Sequence, residues 1–396
     1  MTQSDLHKIV WSRFMRAPYV HILDYADKNG VAIIPTNEEC QQAKPNPLGW
    51  WTPIENGAFF TGLYTYALIE KYNKSKDSDT AQEVEKLIGG LYLLQDVAKT
   101  DGFIARGVAD DGVSHYPVSS EDQAVPWMMA LYAYYKCDLC RCKNLVKERL
   151  LRTLNAIKLN DWRLPTEEGG FSNSWADSCH WRSVVKIVFC ARLIYELTGL
   201  VQDLQYYNKV LTEKPQDCAF SRGEIISLGY EQDMKAFLGT NQTWICTCGH
   251  LAVRELFLLD NENSLLYKTC LHNNGTTALA HTKDVASYDN ERGGFDYDWR
   301  PINNLWRYYK GDIADGIANA HEQRRYWSKE IVPHRHEEHH TLGNGLFAYW
   351  VAVTCEDENI ISAAAQKMQF DFDSVNWYDL HLPYAFVAES ALIYLR

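Results

Sequence analysis

Three stretches of the 396-residue chain carry carboxyl groups where they could move a proton: Glu55, the pair Glu121–Asp122, and Asp177, each just ahead of or at the start of an apolar segment. Cleaving a glycosidic or vinyl-ether bond needs a carboxyl group with a raised pKa and usually a second carboxylate facing it. Acidic residues in a first helical turn also act as caps, so the placement alone fits both roles. The neighbours favour a site, because aromatic and charged residues recur together: Trp50-Trp51, Asp161-Trp162, Trp175-Ala176-Asp177, His180-Trp181-Arg182, Asp298-Trp299-Arg300 and Asn376-Trp377-Tyr378-Asp379. Flat apolar faces flanked by carboxylates and Arg suit sugar rings, and Arg also suits the carboxylate of a uronic acid. Asp122 and Asp177 are the expected acid/base pair. Trp50, Trp51, Trp127, Trp181 and Trp299 are the expected stacking walls, with Arg182 and Arg300 as anion holders. Glu55, His180, His250, Asp298 and His336 complete the expected substrate contacts.

Other chemistries are weaker on inspection. His336-Glu337-Glu338-His339-His340 matches the H-E-x-x-H pattern of zinc proteases. Its surroundings are polar, Pro333 stands just upstream, and Leu346 occupies the third-ligand position, so no metal is expected. Cys137-x-x-Cys140-x-Cys142 and Cys246-x-Cys248-Gly249-His250 lack the second pair a closed zinc site needs. No phosphate-binding glycine loop, dinucleotide fingerprint or serine elbow is found, and no cofactor is expected.

The elements that position these residues are helices of two kinds. Segments 80–97, 143–159 and 357–369 are amphipathic, the first opening with capping-box spacing from Thr80 to Glu83. A second set, 57–72, 122–136, 179–197, 246–259, 304–327, 345–355 and 383–395, is apolar or aromatic nearly all round, as enclosed helices are. An enclosed helix followed by a loop and an amphipathic one, repeated about six times, predicts an all-α (α/α)6 barrel in one domain, residues 1–396. Long connections at 30–56, 99–121, 160–178, 272–303 and 328–344 would carry the site.

Two segments bear a resemblance. Trp51-Thr52-Pro53-Ile54-Glu55-Asn56-Gly57-Ala58-Phe59-Phe60-Thr61-Gly62-Leu63, and Ser174-Trp175-Ala176 with Trp181 and Tyr195-Glu196-Leu197-Thr198-Gly199, are similar to the six-hairpin glycosidases. They most resemble the unsaturated glucuronyl and rhamnogalacturonyl hydrolases. The resemblance implies an (α/α)6 barrel and hydrolysis of an oligosaccharide end by a catalytic Asp, matched by Asp122. Where that family has Arg-Gly-Gln, this chain has Asp177-Ser178-Cys179, and Asp177 follows the Ser-Trp-Ala motif instead of preceding it. The same barrel serves N-acylglucosamine 2-epimerase-like isomerases, for which His250, His336 and His381 would act. It also serves polysaccharide lyases and could serve as a non-catalytic glycan-binding toroid.

Composition narrows the partners. Lys and Arg number 39 against 51 Asp and Glu, a net charge of −12 without a basic cluster, which argues against nucleic acid. No apolar run reaches the roughly 18 residues that a membrane span needs. The N-terminal residues have no apolar core of signal-peptide length, which points to the cytoplasm; a leader already removed would instead place the chain in the periplasm or outside the cell. The eleven cysteines are odd in number and irregularly spaced, which predicts buried free thiols.

Overall fold

The computed structural model describes residues 1–174, 178–235, 241–289, 295–308, 313–327, 335 and 337–395. It is all-α, with 64% helix and 1% strand. The principal helices are α1 (Gln3–Ile9), α2 (Gly57–Ser75), α3 (Ser78–Asp96), α4 (Glu121–Lys136), α5 (Lys143–Leu159), α6 (Trp181–Thr198) and α7 (Val201–Thr212). They continue with α8 (Arg222–Leu228), α9 (Thr243–Leu259), α10 (Ser264–His281), α11 (Ile313–Tyr326), α12 (Asn344–Val353), α13 (Glu358–Ser374) and α14 (Ala385–Leu395).

Helices apolar on all sides must be covered on all sides, and six of them cover one another. α2 packs on α4, α4 on α6, α6 on α9, α9 on α12, α12 on α14, and α14 returns to α2. The amphipathic helices lie against these: α3 on α2, α5 on α4, α7 on α6, α10 on α9, α13 on α12, and α1 on α14. The α2–α4 contact is close because Gly62 lacks a side chain; a Cβ there would stand 2.6 Å from the carbonyl carbon of Pro126. One apolar cluster runs through both sets from Leu6 to Ile393.

α1 is joined to the others by polar contacts as well. His7 Nδ1 lies 3.0 Å from the fully buried Glu389 of α14, and Nε2 lies 2.8 Å from Glu83 of α3. A two-residue antiparallel ribbon, Met15–Arg16 with His21–Ile22, follows α1. It delivers the next residues toward the head of α2, where Asp24 N donates to Pro53 O (2.9 Å).

Three sequence expectations change. The cap of α3 is Asp77, whose carboxylate accepts from Thr80 N; Thr80 therefore lies inside the first turn. The expected loop at 272–303 is helical as far as His281, because Cys270, Leu271, Asn274 and Ala278 bury one face of α10. The expected enclosed helix at 304–327 is instead an extended exit from the 3₁₀ turn Arg300–Leu305, followed by α11. With Arg324 and Arg325 in its last turn, α11 is too polar to be enclosed; it packs on that turn. No described helix is long and apolar enough to cross a membrane.

Candidate active site

The N-terminal ends of all six mutually packed helices open on one cavity of about 320 Å³. Glu55, Asn56 and Phe60 come from the start of α2, Asp122 from α4, and Arg182 from α6. Gln242, Trp244 and Ile245 come from α9, His339 and His340 from the turn before α12, and Leu382 and Tyr384 from the approach to α14. α11 adds His321 and Arg324 along one side, with Trp327 just beyond it. Trp50 and Trp51 form an edge-to-face pair, centroids 5.7 Å apart, and Trp50 meets His321 at 5.8 Å. Helix N-termini carry partial positive charge, and here six converge beside Arg106, Arg182, Arg324 and Arg335, against Asp24, Glu55 and Asp122. The cavity therefore favours an anionic ligand.

Asp24 is only 2% exposed. Asn56, the cap residue of α2, donates to it from N (2.7 Å) and Nδ2 (2.6 Å), and Gln123 Nε2 in turn donates to Asn56 Oδ1 (3.0 Å). Burial, reinforced by the charge of Glu55, raises the Asp24 carboxyl well above its usual range despite Arg335 and the Asn56 donors. Glu55 accepts from Trp51 N (2.8 Å) and from Arg335 Nη2 (3.3 Å). Arg335 stands over the rings of Tyr25 (5.3 Å) and Trp51 (5.6 Å).

Asp122 behaves oppositely. Burial pushes it up, but Lys186 (3.1 Å from Oδ1) and Arg182 outweigh that and hold it below the ordinary carboxylate range. Lys186 is 2% exposed and sits one turn beyond Arg182 on α6.

Three sets of donors stay available. The Arg182 guanidinium makes no hydrogen bond or ion pair among the described residues, and Arg335 Nη1 and Trp327 Nε1 are buried without partners there. A ligand that brings acceptors would satisfy them. On the far wall, His339 Nδ1 meets the Tyr384 hydroxyl, its ring lies edge-to-face on Trp244 (4.8 Å), and His340 Nε2 faces Arg324 Nη2 at 2.8 Å.

Of the residues expected from sequence, Trp50, Trp51, Glu55, Asp122 and Arg182 line this cavity. Asp177 and His336 lie outside the described residues. The others lie elsewhere, each for a visible reason. Trp127, Trp181 and Trp299 are fully buried, their indole N–H groups donating to Leu91 O (2.7 Å), Ile226 O (3.1 Å) and Ile33 O (2.7 Å). Their rings are core packing. His250 is enclosed between Thr354 Oγ1 (3.0 Å) and Asn274 Nδ2 (3.2 Å), and burial pushes it down to about 3. Arg300 is committed to Glu39 (2.7 and 3.2 Å), and Asp298 turns its own loop by accepting from Arg300 N (3.0 Å). His180, at the N-cap of α6, is half-buried one residue ahead of Trp181 and does not reach the cavity. His381 meets the Tyr297 hydroxyl at 2.6 Å and likewise does not line it.

Sequence reasoning missed Asp24, Asn56, Arg106, Arg335 and Tyr384. Asn56 was within reach, standing beside Glu55 at a helix start; Asp24 follows a two-residue strand and has no periodic context. Cysteine usage also differs from expectation: Cys179 and Cys218 form a disulfide, while the other nine are free and all of those but Cys142 are buried. Among the described residues, no three His, Cys, Asp or Glu side chains gather as a metal-ligand set. Compared with known proteins, the chain matches no family model, no curated protein and no solved structure.

Proposed function

We propose that the chain is a single-domain (α/α)6-barrel glycoside hydrolase acting on an acidic end of an oligosaccharide. The barrel reading is supported by six enclosed helices in cyclic contact, each backed by an amphipathic one. The observation that carries the chemistry is that two carboxyl groups line one cavity with pKa values displaced in opposite directions, Asp24 up and Asp122 down. Such a divergence separates an acid from a base. Asp24, whose carboxyl is raised by burial and by the charge of Glu55, donates to the departing glycosidic oxygen, or to the ring double bond if the end is unsaturated. Asp122, ionised, takes a proton from the attacking water. Trp50 and Trp51 stack on the sugar, while Arg182 and Arg335 hold its carboxylate.

The test is a panel of oligosaccharides ending in an unsaturated uronate, a saturated uronate or a neutral sugar, followed by product analysis. Cleavage is expected for acidic ends only. Asp24→Asn and Asp122→Asn should each lower turnover by about 10²–10⁴-fold, the usual contribution of a positioned acid or base. Full turnover in both variants would overturn the assignment.

A second reading rests on the His339–Tyr384 contact, which fixes an imidazole beside the arginines. It would suit proton abstraction next to a carbonyl or carboxylate. Deuterium taken up from solvent without cleavage would favour an isomerase. An unsaturated product absorbing in the ultraviolet would favour a lyase. Saturable binding with no product would leave a glycan-binding protein.

A further inference from the structure

An Asn at a helix N-cap ordinarily turns its side-chain oxygen onto the second or third N–H of the helix. Asn56 heads α2 but makes no such bond. The donors it would take are satisfied from elsewhere: Ala58 N donates to Arg106 O (2.9 Å), and Phe59 N to Oε1 of Gln123 (3.0 Å) in the first turn of α4. Gln123 is fully buried and thus caps α2 from the neighbouring helix. That exchange releases the Asn56 side chain for Asp24.

The direction of every amide in this chain of bonds follows from one backbone group. Phe59 N–H can only donate, so Gln123 must present its oxygen there and its nitrogen toward Asn56. Asn56 must then receive Gln123 Nε2 on Oδ1 (3.0 Å), which leaves Nδ2 for Asp24 Oδ1 (2.6 Å). Asn56 N occupies Asp24 Oδ2 (2.7 Å). Both carboxyl oxygens therefore meet N–H groups on the Asn56 side, and a proton on Asp24 has to occupy a lone pair turned away from them. When that proton leaves, two donors already face the carboxylate without any rearrangement. The titratable and charged groups around Asp24 are Glu55, Arg106, Arg335, Tyr25 and Tyr384, and none of their side chains enters this relay.

We propose that Gln123 is a positioning residue for Asp24: acting through Asn56, it holds an amide N–H on the carboxyl and keeps the acid's proton free for a ligand in the cavity. This role rests on Asp24 being the acid, whereas the relay geometry does not.

The test is Gln123→Met, alone and combined with Asn56→Ala. NMR of carbonyl-labelled aspartate follows Asp24, assigned by its loss in Asp24→Asn. Turnover is measured on an oligosaccharide ending in an unsaturated uronate. Without Gln123, the Asn56 oxygen returns to Phe59 N and its amide N–H leaves Asp24, which should then titrate at higher pH. Turnover should fall by about tenfold, the worth of one hydrogen bond to a charged group, with KM within about twofold of native. In the Asn56→Ala background, Gln123→Met should move neither quantity further. Stability falls whether Gln123 positions Asp24 or merely ties α2 to α4, so melting does not decide. If Gln123→Met does not fold, Gln123→Glu, which keeps the bond from Phe59 N, carries the same comparison. An unmoved Asp24 titration in the folded variant, or the same shift with Asn56→Ala present, would overturn the proposal. A moved titration with full turnover would overturn it too, by showing that Asp24 is not the acid. If the native chain cleaves no such oligosaccharide, the hydrolase reading fails and the titration alone decides whether Gln123 positions Asp24.

Discussion

Asp24 and Asp122 line the same cavity, yet their surroundings pull them apart. Asp24 is 2% exposed and shares its corner with Glu55, and the Arg335 guanidinium beside them is drawn toward Glu55. The Asp122 side chain is 21% exposed and faces Lys186 and Arg182 together. Burial raises both. What separates them is how many cations each carboxylate has to itself, so in this cavity the local count of charges outranks depth.

The most disruptive test of that contrast is Lys186→Met. It removes the cation from a buried pair and leaves Asp122 desolvated, with an expected loss of about 3–5 kcal/mol, measured as the urea midpoint. Lys186→Arg should keep most of the stability. An unchanged midpoint in the Met variant would mean that Lys186 is not what holds Asp122 down.

Two histidines sharpen the same contrast from outside the cavity. Burial lowers both, but Glu389 and Glu83 overcome it at His7 and raise that residue to about 9, whereas His250 has neutral partners and the Arg254 charge nearby and falls to about 3. Since His7 is raised in the folded state, its stabilisation is fully present below an unfolded pKa of about 6.5 and is lost as pH rises through about 9, an effect of roughly 2–3 kcal/mol. His250 is lowered, so its contribution runs the other way, lost as pH falls below about 6.5. Urea midpoints from pH 6 to 10 should decline in the native chain, and His7→Gln should flatten that alkaline decline. A decline that survives in the variant would assign it to another group.

The smallest expected effect belongs to Trp127→Phe. It deletes the hydrogen bond to Leu91 O and some core volume, lowering stability by about 1–3 kcal/mol while leaving ligand affinity and turnover unchanged. A change in affinity would bring Trp127 back to the cavity.

Much of the scaffold was legible in the sequence because enclosure leaves a compositional trace. Segments 57–72, 345–355 and 383–395 read as apolar all round, and α2, α12 and α14 begin at Gly57, Asn344 and Ala385. Segment 304–327 misled because its aromatics, Trp306, Tyr308 and Tyr309 at one end and Tyr326 and Trp327 at the other, flank a polar stretch. The site was legible where a helix head supplied it, as at Glu55, Asp122 and Arg182. Tryptophan could not be sorted from sequence. Trp51 reaches the cavity and Trp127 does not, although both lie within one turn or so of an acidic residue at a helix start. Which way an indole points depends on the carbonyl that takes its N–H, and that carbonyl belongs to a distant part of the chain. Asp24 was invisible for a related reason: its partner Asn56 lies 32 residues away.

The docking of α1 onto α14 has a kinetic side. His7 and Glu389 are 382 residues apart in sequence, and Glu389 is fully buried once α1 is in place. Neighbouring hairpins such as α2 with α3 can form early from local contacts, whereas this pairing has to await nearly all the intervening chain. The extra loop-closure entropy grows only logarithmically with length, so the delay is one of order and not of large thermodynamic penalty. Until it occurs, α14 presents an uncovered apolar flank and a carboxylate without its imidazole partner. That seam is where an incompletely folded chain would be most exposed to association with its own kind.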